Sequence, residues 1–212
     1  MKLYYAPGRC SLAAHIALRE VERGFDLEPV DLATQRTERG VDFYRINPKG
    51  DVPVLALDEL GNETLTEIPA IVQYLGDLVP EKRFVPPNGT FARYHMQEWL
   101  SFIASELHRA FAVVSSAETP PDYAATVRGK IARWFNYLQD VVVDRAYLMG
   151  ETFTAADAYL YVMLFWCERV HIDLALWPNL DDYEYRLSRR PSIQATIAVE
   201  GLVDRHSFRR SA

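Results

Sequence analysis

The sequence predicts an α/β domain over residues 1–78, a linker over 79–90 and an all-helical domain over 91–212. Three observations carry this expectation. Short apolar strand patterns alternate with helical ones before residue 78, prolines and glycines cluster between 77 and 90, and no convincing strand pattern follows.

Lys2 to Tyr5 reads as a short strand, Ala6-Pro7-Gly8-Arg9 as a turn, and Ser11 to Val21 as a helix in which Leu12, Ala13, Ile16, Ala17 and Val21 recur at helical spacing. Phe25, Leu27 and Val30 fit a second strand, and the polar stretch Thr34 to Tyr44 fits a helix or an irregular segment. Asn47-Pro48-Lys49-Gly50-Asp51-Val52-Pro53 then frames the apolar strand Val54 to Leu57. Pro53 has no N–H to give a ladder, so it belongs at a strand's first residue or edge, where a cis bond is accessible. Glu59 to Glu63 reads as a hairpin turn with Thr64-Leu65-Thr66 as the returning strand. Helix resumes at Glu67, with Pro69 in its first turn and Ile71, Val72, Tyr74 and Leu75 as the apolar face.

Beyond the linker, helical patterns cover Phe91 to Val114, Tyr123 to Val143, Ala155 to Arg169, Leu180 to Ser188 and Ser192 to Val199. Thr154 and Asp157 have capping-box spacing, and Phe153 before them suits a hydrophobic staple.

About half of the 212 residues are apolar, enough for one large core or two small ones. No stretch approaches the roughly 18 to 20 apolar residues of a membrane helix, and Met1 to Tyr5 lacks the apolar run of a signal peptide, so a cytoplasmic protein is expected. A net charge of -6 without blocks of like charge argues against nucleic acid or an anionic membrane as partner, and the Arg205 to Arg210 tail is too short to change that. The two cysteines, Cys10 and Cys167, lie far apart, which suits a reducing compartment.

Cys10 follows a turn and begins a helix, where free N–H groups and the helix dipole favour a thiolate; a small residue filling the first turn is the alternative. A two-unit fall in pKa would raise the thiolate fraction at pH 7 from about 3% to roughly 75%, while lowered nucleophilicity takes back roughly eightfold. The larger benefit of such a site is to hold another molecule's thiolate. Cys167 reads as a packing residue, and Ala13 stands where a C-x-x-C dithiol would need its second cysteine. His108 is by default a surface or packing residue, and Glu67 either an acid at a helix start or the partner of a ligand amine. No phosphate loop, metal-ligand cluster or nucleophile elbow is present in the sequence, so no metal is expected.

Lys2 to Leu12, Asn47 to Pro53, Thr66-Glu67 with Ala70 to Leu75, and Glu106-Leu107-His108 together resemble the bacterial beta-class glutathione transferases. The likeness continues through Trp99-Leu100, the Phe153 to Leu160 segment, Arg190-Pro191 and Glu200-Gly201-Leu202 in the same order. The resemblance implies a thioredoxin-like βαβαββα domain followed by an all-α domain, a homodimer, and glutathione as co-substrate for conjugation to a small hydrophobic electrophile, with thiol–disulfide exchange through Cys10 as a second route. It implies Cys10 and His108 as the catalytic pair beside the glutathione sulfur. Val52 ahead of a cis Pro53 would pair with the cysteinyl part of glutathione, and Glu67 with the backbone at Ile68 would take its γ-glutamyl end. Tyr5 and Ser11 would lie close by, and Ser105, Glu106 and Arg109 would line the site.

Three positions depart from the family pattern: Gln35 stands where a lysine often meets the glycyl carboxylate, Ile68-Pro69 where a small residue is common, and Ser101 where an asparagine is common. Arg36 or Arg109 could restore the positive charge. These departures keep open a non-catalytic binder on the same fold. Arg9, Phe111, Val114 and Trp166 are the expected lining of the electrophile pocket.

Overall fold

The computed structural model describes residues 1–57 and 63–206. All but the last residue of the expected turn at Glu59 to Glu63 lies outside the described residues, as does the tail from residue 207. The first part holds β1 (Lys2–Tyr5), α1 (Leu12–Glu20), β2 (Asp26–Asp31), β3 (Arg36–Thr37), β4 (Val54–Ala56), β5 (Thr64–Thr66) and α2 (Ile68–Asp77). The sheet order is β3-β2-β1-β4-β5. β1 and β2 run parallel, which requires the α1 crossover, and the other pairs are antiparallel.

The helix that βαβαββα places between β2 and β4 is reduced to one 3-10 turn, Phe43–Arg45, after the two-residue strand β3. The stretch has little to pack: of its residues from Thr34 to Tyr44, Phe43 is the one large apolar side chain that is buried. Helix formation without an apolar face is not sustained in water.

The second part holds α3 (Phe91–Phe102), α4 (Arg109–Ser115), α5 (Pro121–Val142), α6 (Ala155–Phe165), α7 (Pro178–Ser188) and α8 (Pro191–Val199). α3 and α4 are joined through a π-helical turn, Ile103–His108, so the helix expected to run evenly from Phe91 to Val114 is widened in its middle. Among the described residues no helix is long and apolar enough to cross a membrane.

α1 is buried on every side from Leu12 to Leu18. It packs against α2 on one flank and against α6 and α8 on another, so one continuous apolar core runs through both parts of the chain. The stretch expected as a linker is also tied down: Arg93 donates to both Asp77 carboxylate oxygens at 2.8 and 2.7 Å and to the Pro86 carbonyl at 3.0 Å. At the start of α6 the buried Asp157 carboxylate accepts from the Thr154 N–H and hydroxyl, the Leu148 N–H and the Tyr183 hydroxyl, so the expected capping box is part of a wider knot. Phe153 packs on Phe84 and Tyr147, with the Arg190 guanidinium over its ring at 3.9 Å.

Candidate active site

The peptide Val52–Pro53 is cis, as Pro53 at the entrance to β4 led one to expect. Together with the loop before it, the start of α2 and the π-helical turn, it encloses a hollow of about 760 Å³. Cys10, Val52, Pro53, Glu67, Ile68, Ser105, His108 and Arg109 line it, together with Lys49, Asp51 and Tyr159. A second hollow, of about 330 Å³, adjoins it and shares Cys10, Asp51, Val52 and His108. Arg9 and Trp166 line this smaller one, together with Ala112, Ser115 and Arg169. A separate hollow of about 400 Å³ near His171 and His206 contains none of the candidate residues. Among the described residues no group of three or more His, Cys, Asp or Glu side chains is placed to hold a metal ion.

Burial works against the expected Cys10 thiolate. Burial pushes the thiol up to about 12, Asp51 adds to the rise, and the N–H groups of Cys10 and Ser11 with the Arg9 charge offset it only in part. The helix start therefore loses to desolvation. The thiol donates to the Val52 carbonyl at 3.1 Å, as a protonated sulfur can. The Val52 N–H has no partner among the described residues.

His108 sits in the π-helical turn with Nδ1 2.7 Å from the Tyr159 hydroxyl. Burial holds its pKa below that of an ordinary histidine, with Asp51 and Glu67 pulling the other way, so the ring is neutral at pH 7. Burial, helped by the charge of Glu67, keeps the Tyr159 phenol protonated. Tyr159 lies 51 residues from His108, and no spacing in the sequence marks the pair.

Glu67 occupies a left-handed conformation, φ 68° and ψ 121°, at the cap of α2. For a residue with a Cβ this is strain of about 1–3 kcal/mol, of the kind that collects at ligand sites. Its carboxylate pairs with Lys49, whose ammonium also donates to the Thr66 hydroxyl at 2.8 Å, and both charged groups remain largely exposed. Lys49, inside the Asn47 to Pro53 motif, adds a cation that is not among the expected site residues.

Four expected site residues fall outside the larger hollow. Tyr5 is buried under the sheet against the His15 ring. The Ser11 hydroxyl is spent on the Ala6 main chain, accepting from its N–H and donating to its carbonyl, each at 3.2 Å. Gln35 donates to the Leu32 and Gly50 carbonyls beneath the loop. Glu106 is exposed and accepts from the Ser105 hydroxyl. Arg36 points elsewhere, donating to the Gly40 carbonyl, so Lys49 and Arg109 are the cations at the hollow. In the electrophile pocket Phe111 lies behind Trp166 and does not line the wall, and neither does Val114.

The turn before Cys10 is gripped from both sides by the helical part. The Gly8 N–H donates to Glu200 Oε2 at 2.9 Å, and the Trp166 indole N–H donates to the Gly8 carbonyl at 2.9 Å. Gly8 has φ 66°, and a Cβ there would come 3.1 Å from the Leu202 side chain, so any other residue would be strained at this turn. The other oxygen of Glu200 lies 2.8 Å from Nδ1 of the fully buried His15. Trp166 also packs its ring on His108, centroid to centroid 5.4 Å, so one side chain braces both the Cys10 turn and the histidine.

Comparison with known proteins agrees with this architecture. Residues 9–78 match the family described as glutathione S-transferase, N-terminal domain, and residues 95–191 match glutathione S-transferase, C-terminal domain. The chain is 41% identical over 202 residues to glutathione S-transferase GstA of Escherichia coli O157:H7, covering 95% of this chain and all of GstA. A sphingomonad glutathione S-transferase solved in complex with glutathione is 41% identical with a TM-score of 0.91, over 96% of this chain and all of that one. A beta-class glutathione S-transferase of Sphingomonas chungbukensis is 42% identical with the same TM-score, over 96% of this chain and all of that one. GstA and GST-4.5 of Xanthomonas campestris, each matched over 95% of this chain, are both named glutathione S-transferases, which weighs against the non-catalytic binder. With both parts matched and the relatives covered end to end, the chain belongs to the glutathione S-transferase family, in its bacterial beta class.

Proposed function

We propose that glutathione lies in the larger hollow with its sulfur between Cys10 and His108, and that its thiolate attacks a small hydrophobic electrophile seated in the smaller one. The observation that carries this reading is that the two hollows meet at those two side chains. Val52 lines the hollow just before the cis peptide; among the described residues its N–H has no partner and its carbonyl accepts from the Cys10 thiol, which suits pairing with a tripeptide backbone. Glutathione brings one ammonium and two carboxylates. Glu67 suits the ammonium, while Lys49 and Arg109 suit the carboxylates. The exposed Lys49–Glu67 pair is worth about 0–1 kcal/mol, so exchanging it for contacts with glutathione costs little.

In this reading Cys10 acts as a hydrogen-bond donor to the glutathione sulfur and not as a nucleophile, because its own thiol stays protonated. A Tyr159 hydroxyl donating to Nδ1 leaves the His108 proton on Nε2, a second donor to the same sulfur. The glutathione proton leaves to water, the C–S bond forms with the sulfur lone pair, and the electrophile's leaving group departs with its bonding electrons. The exchange route, in which Cys10 takes glutathione as a mixed disulfide, needs a Cys10 thiolate and is correspondingly slow.

The test is turnover of 1-chloro-2,4-dinitrobenzene with glutathione, for the unaltered protein, Cys10→Ala and His108→Ala. Turnover reduced at least tenfold in each variant supports the assignment, and unaltered protein without turnover overturns it. Intact mass after incubation with oxidised glutathione separates the routes: a stoichiometric adduct lost in Cys10→Ala would favour exchange. The family also implies a homodimer in the cytoplasm. The exposed Phe91 (85%) and Tyr94 (60%) on α3 leave apolar surface that a second copy would cover, and sedimentation equilibrium reads the mass directly.

A further inference from the structure

The smaller hollow has a chemistry of its own. Trp166, Leu32 and Ala112 give it apolar walls, and two arginines, Arg9 from the turn after β1 and Arg169 from the 3-10 turn Glu168–Val170, also line it. Neither guanidinium has a hydrogen bond or ion pair among the described residues, and both side chains are exposed. They are near enough to act on each other: burial and the charge of Arg9 both lower the pKa of Arg169. Two like charges held beside one apolar cavity repel until an anion lies between them. The acidic residue in the lining, Asp51, belongs to the loop before β4, forms no ion pair with either arginine among the described residues, and is shared with the larger hollow. The indole cannot swing away from this wall, because its N–H is committed to the Gly8 carbonyl and its ring is packed on His108 and Phe111.

We infer that the electrophile this hollow selects is a flat apolar molecule carrying a carboxylate, with the carboxylate held by Arg9 and Arg169, the body lying on Trp166, and the reacting carbon turned toward Cys10 and His108. The inference rests on the transferase reading above and names its acceptor class. Guanidinium forks match carboxylates in pairs of hydrogen bonds, so the contact fixes orientation as well as affinity. A hollow of about 330 Å³ accommodates a single substituted ring and excludes large fused systems.

The experiment compares two acceptors of one shape, 4-chloro-3,5-dinitrobenzoate and the corresponding benzamide. With either, the glutathione thiolate bonds to the ring carbon bearing chlorine and chloride leaves with the bonding pair. kcat/KM is measured for both acceptors in the unaltered protein, Arg169→Gln, Arg9→Gln and the double variant. Dividing the benzoate value by the benzamide value cancels losses common to both acceptors, including partial misfolding. The expected result is a fall in this ratio of at least tenfold in Arg169→Gln and further in the double variant, with only part of the loss restored in Arg169→Lys, which keeps the charge without the fork, and a benzoate KM that rises with salt. A ratio that stays within twofold across the variants overturns the inference while the transferase reading stands. Failure of the unaltered protein to turn over either acceptor overturns the transferase reading itself.

Discussion

One cysteine lies in the turn just before α1 and the other just past the end of α6, and burial pushes both thiols above their ordinary pKa. Each donates to a main-chain carbonyl, Cys10 to Val52 at 3.1 Å and Cys167 to Met163 at 3.6 Å. What separates them is what lies beyond the sulfur. Cys167 bonds back into its own helix and has no exposed surface, whereas Cys10 reaches across to another element and opens onto two hollows. The helix start, the main sequence argument for Cys10, does not make it acidic. Access, and the histidine brought beside it, make the difference.

The largest expected effect tests that contrast directly. With N-ethylmaleimide, intact mass should show one adduct, mapped to Cys10. The second appears only in denaturant, because Cys167 reacts through global opening, which a stability of roughly 5 kcal/mol makes about 10⁴-fold rarer. The Cys10 rate should climb about tenfold per pH unit from 7 to 10 without levelling, since the thiolate fraction of a group titrating near 12 is still growing there. A plateau near pH 7 would mean that the helix start wins over burial after all.

The next effect concerns what holds the Cys10 turn. Glu200→Ala leaves His15 buried without its carboxylate partner and frees the Gly8 N–H. Removing one member of a buried pair costs about 3–5 kcal/mol, to be read from urea unfolding. Labelling of Cys10 in this variant should change through the loosened turn, while that of Cys167 should follow global stability alone. A loss below about 1 kcal/mol would show that the pair is replaceable and the turn held by Trp166.

How much of this was legible in the sequence follows from the distance over which each contact acts. β1, α1, the strand pair around β4 and β5 and the long helices were readable because their signals are local: alternation, helical spacing, and Pro or Gly at the ends. Cys10, Pro53 and Glu67 stand out by position alone, the family likeness adds Val52 and gives His108 its role, and all five line one hollow. The missed features are long-range. Tyr159 meets His108 across 51 residues, Trp166 meets Gly8 across 158, and Glu200 meets Gly8 across 192. The π-helical turn that carries His108 is invisible for another reason, since Phe91 to Val114 keeps a regular apolar spacing through it. Tyr5 and Ser11, which the family likeness implies close to the sulfur, do not line the hollow: Tyr5 is buried against the His15 ring and the Ser11 hydroxyl is held by the Ala6 main chain, contacts that no local spacing marks.

Tyr159→Phe is expected to have a smaller effect than Glu200→Ala, because it deletes one hydroxyl and leaves the ring in place. Losing a hydrogen bond worth about 1 kcal/mol should reduce kcat roughly fivefold to tenfold, with little change in unfolding. NMR of the His108 ring protons should show a titration midpoint below that of a free histidine, from burial. A midpoint above it would place a charged imidazolium at the sulfur and reassign the proton that Tyr159 fixes.

The smallest effect belongs to Lys49, at the outer end of the same hollow from Cys10. Its ammonium is half exposed and already shared between Glu67 and Thr66, so it contributes through a screened charge on a flexible stem. Lys49→Met should raise KM for glutathione about threefold to fivefold at low salt, leave kcat nearly unchanged, and lose much of its effect at high ionic strength. A fall in kcat instead would move Lys49 from holding a carboxylate to shaping the Val52 edge, because only groups that act on the sulfur change the rate of the bound complex.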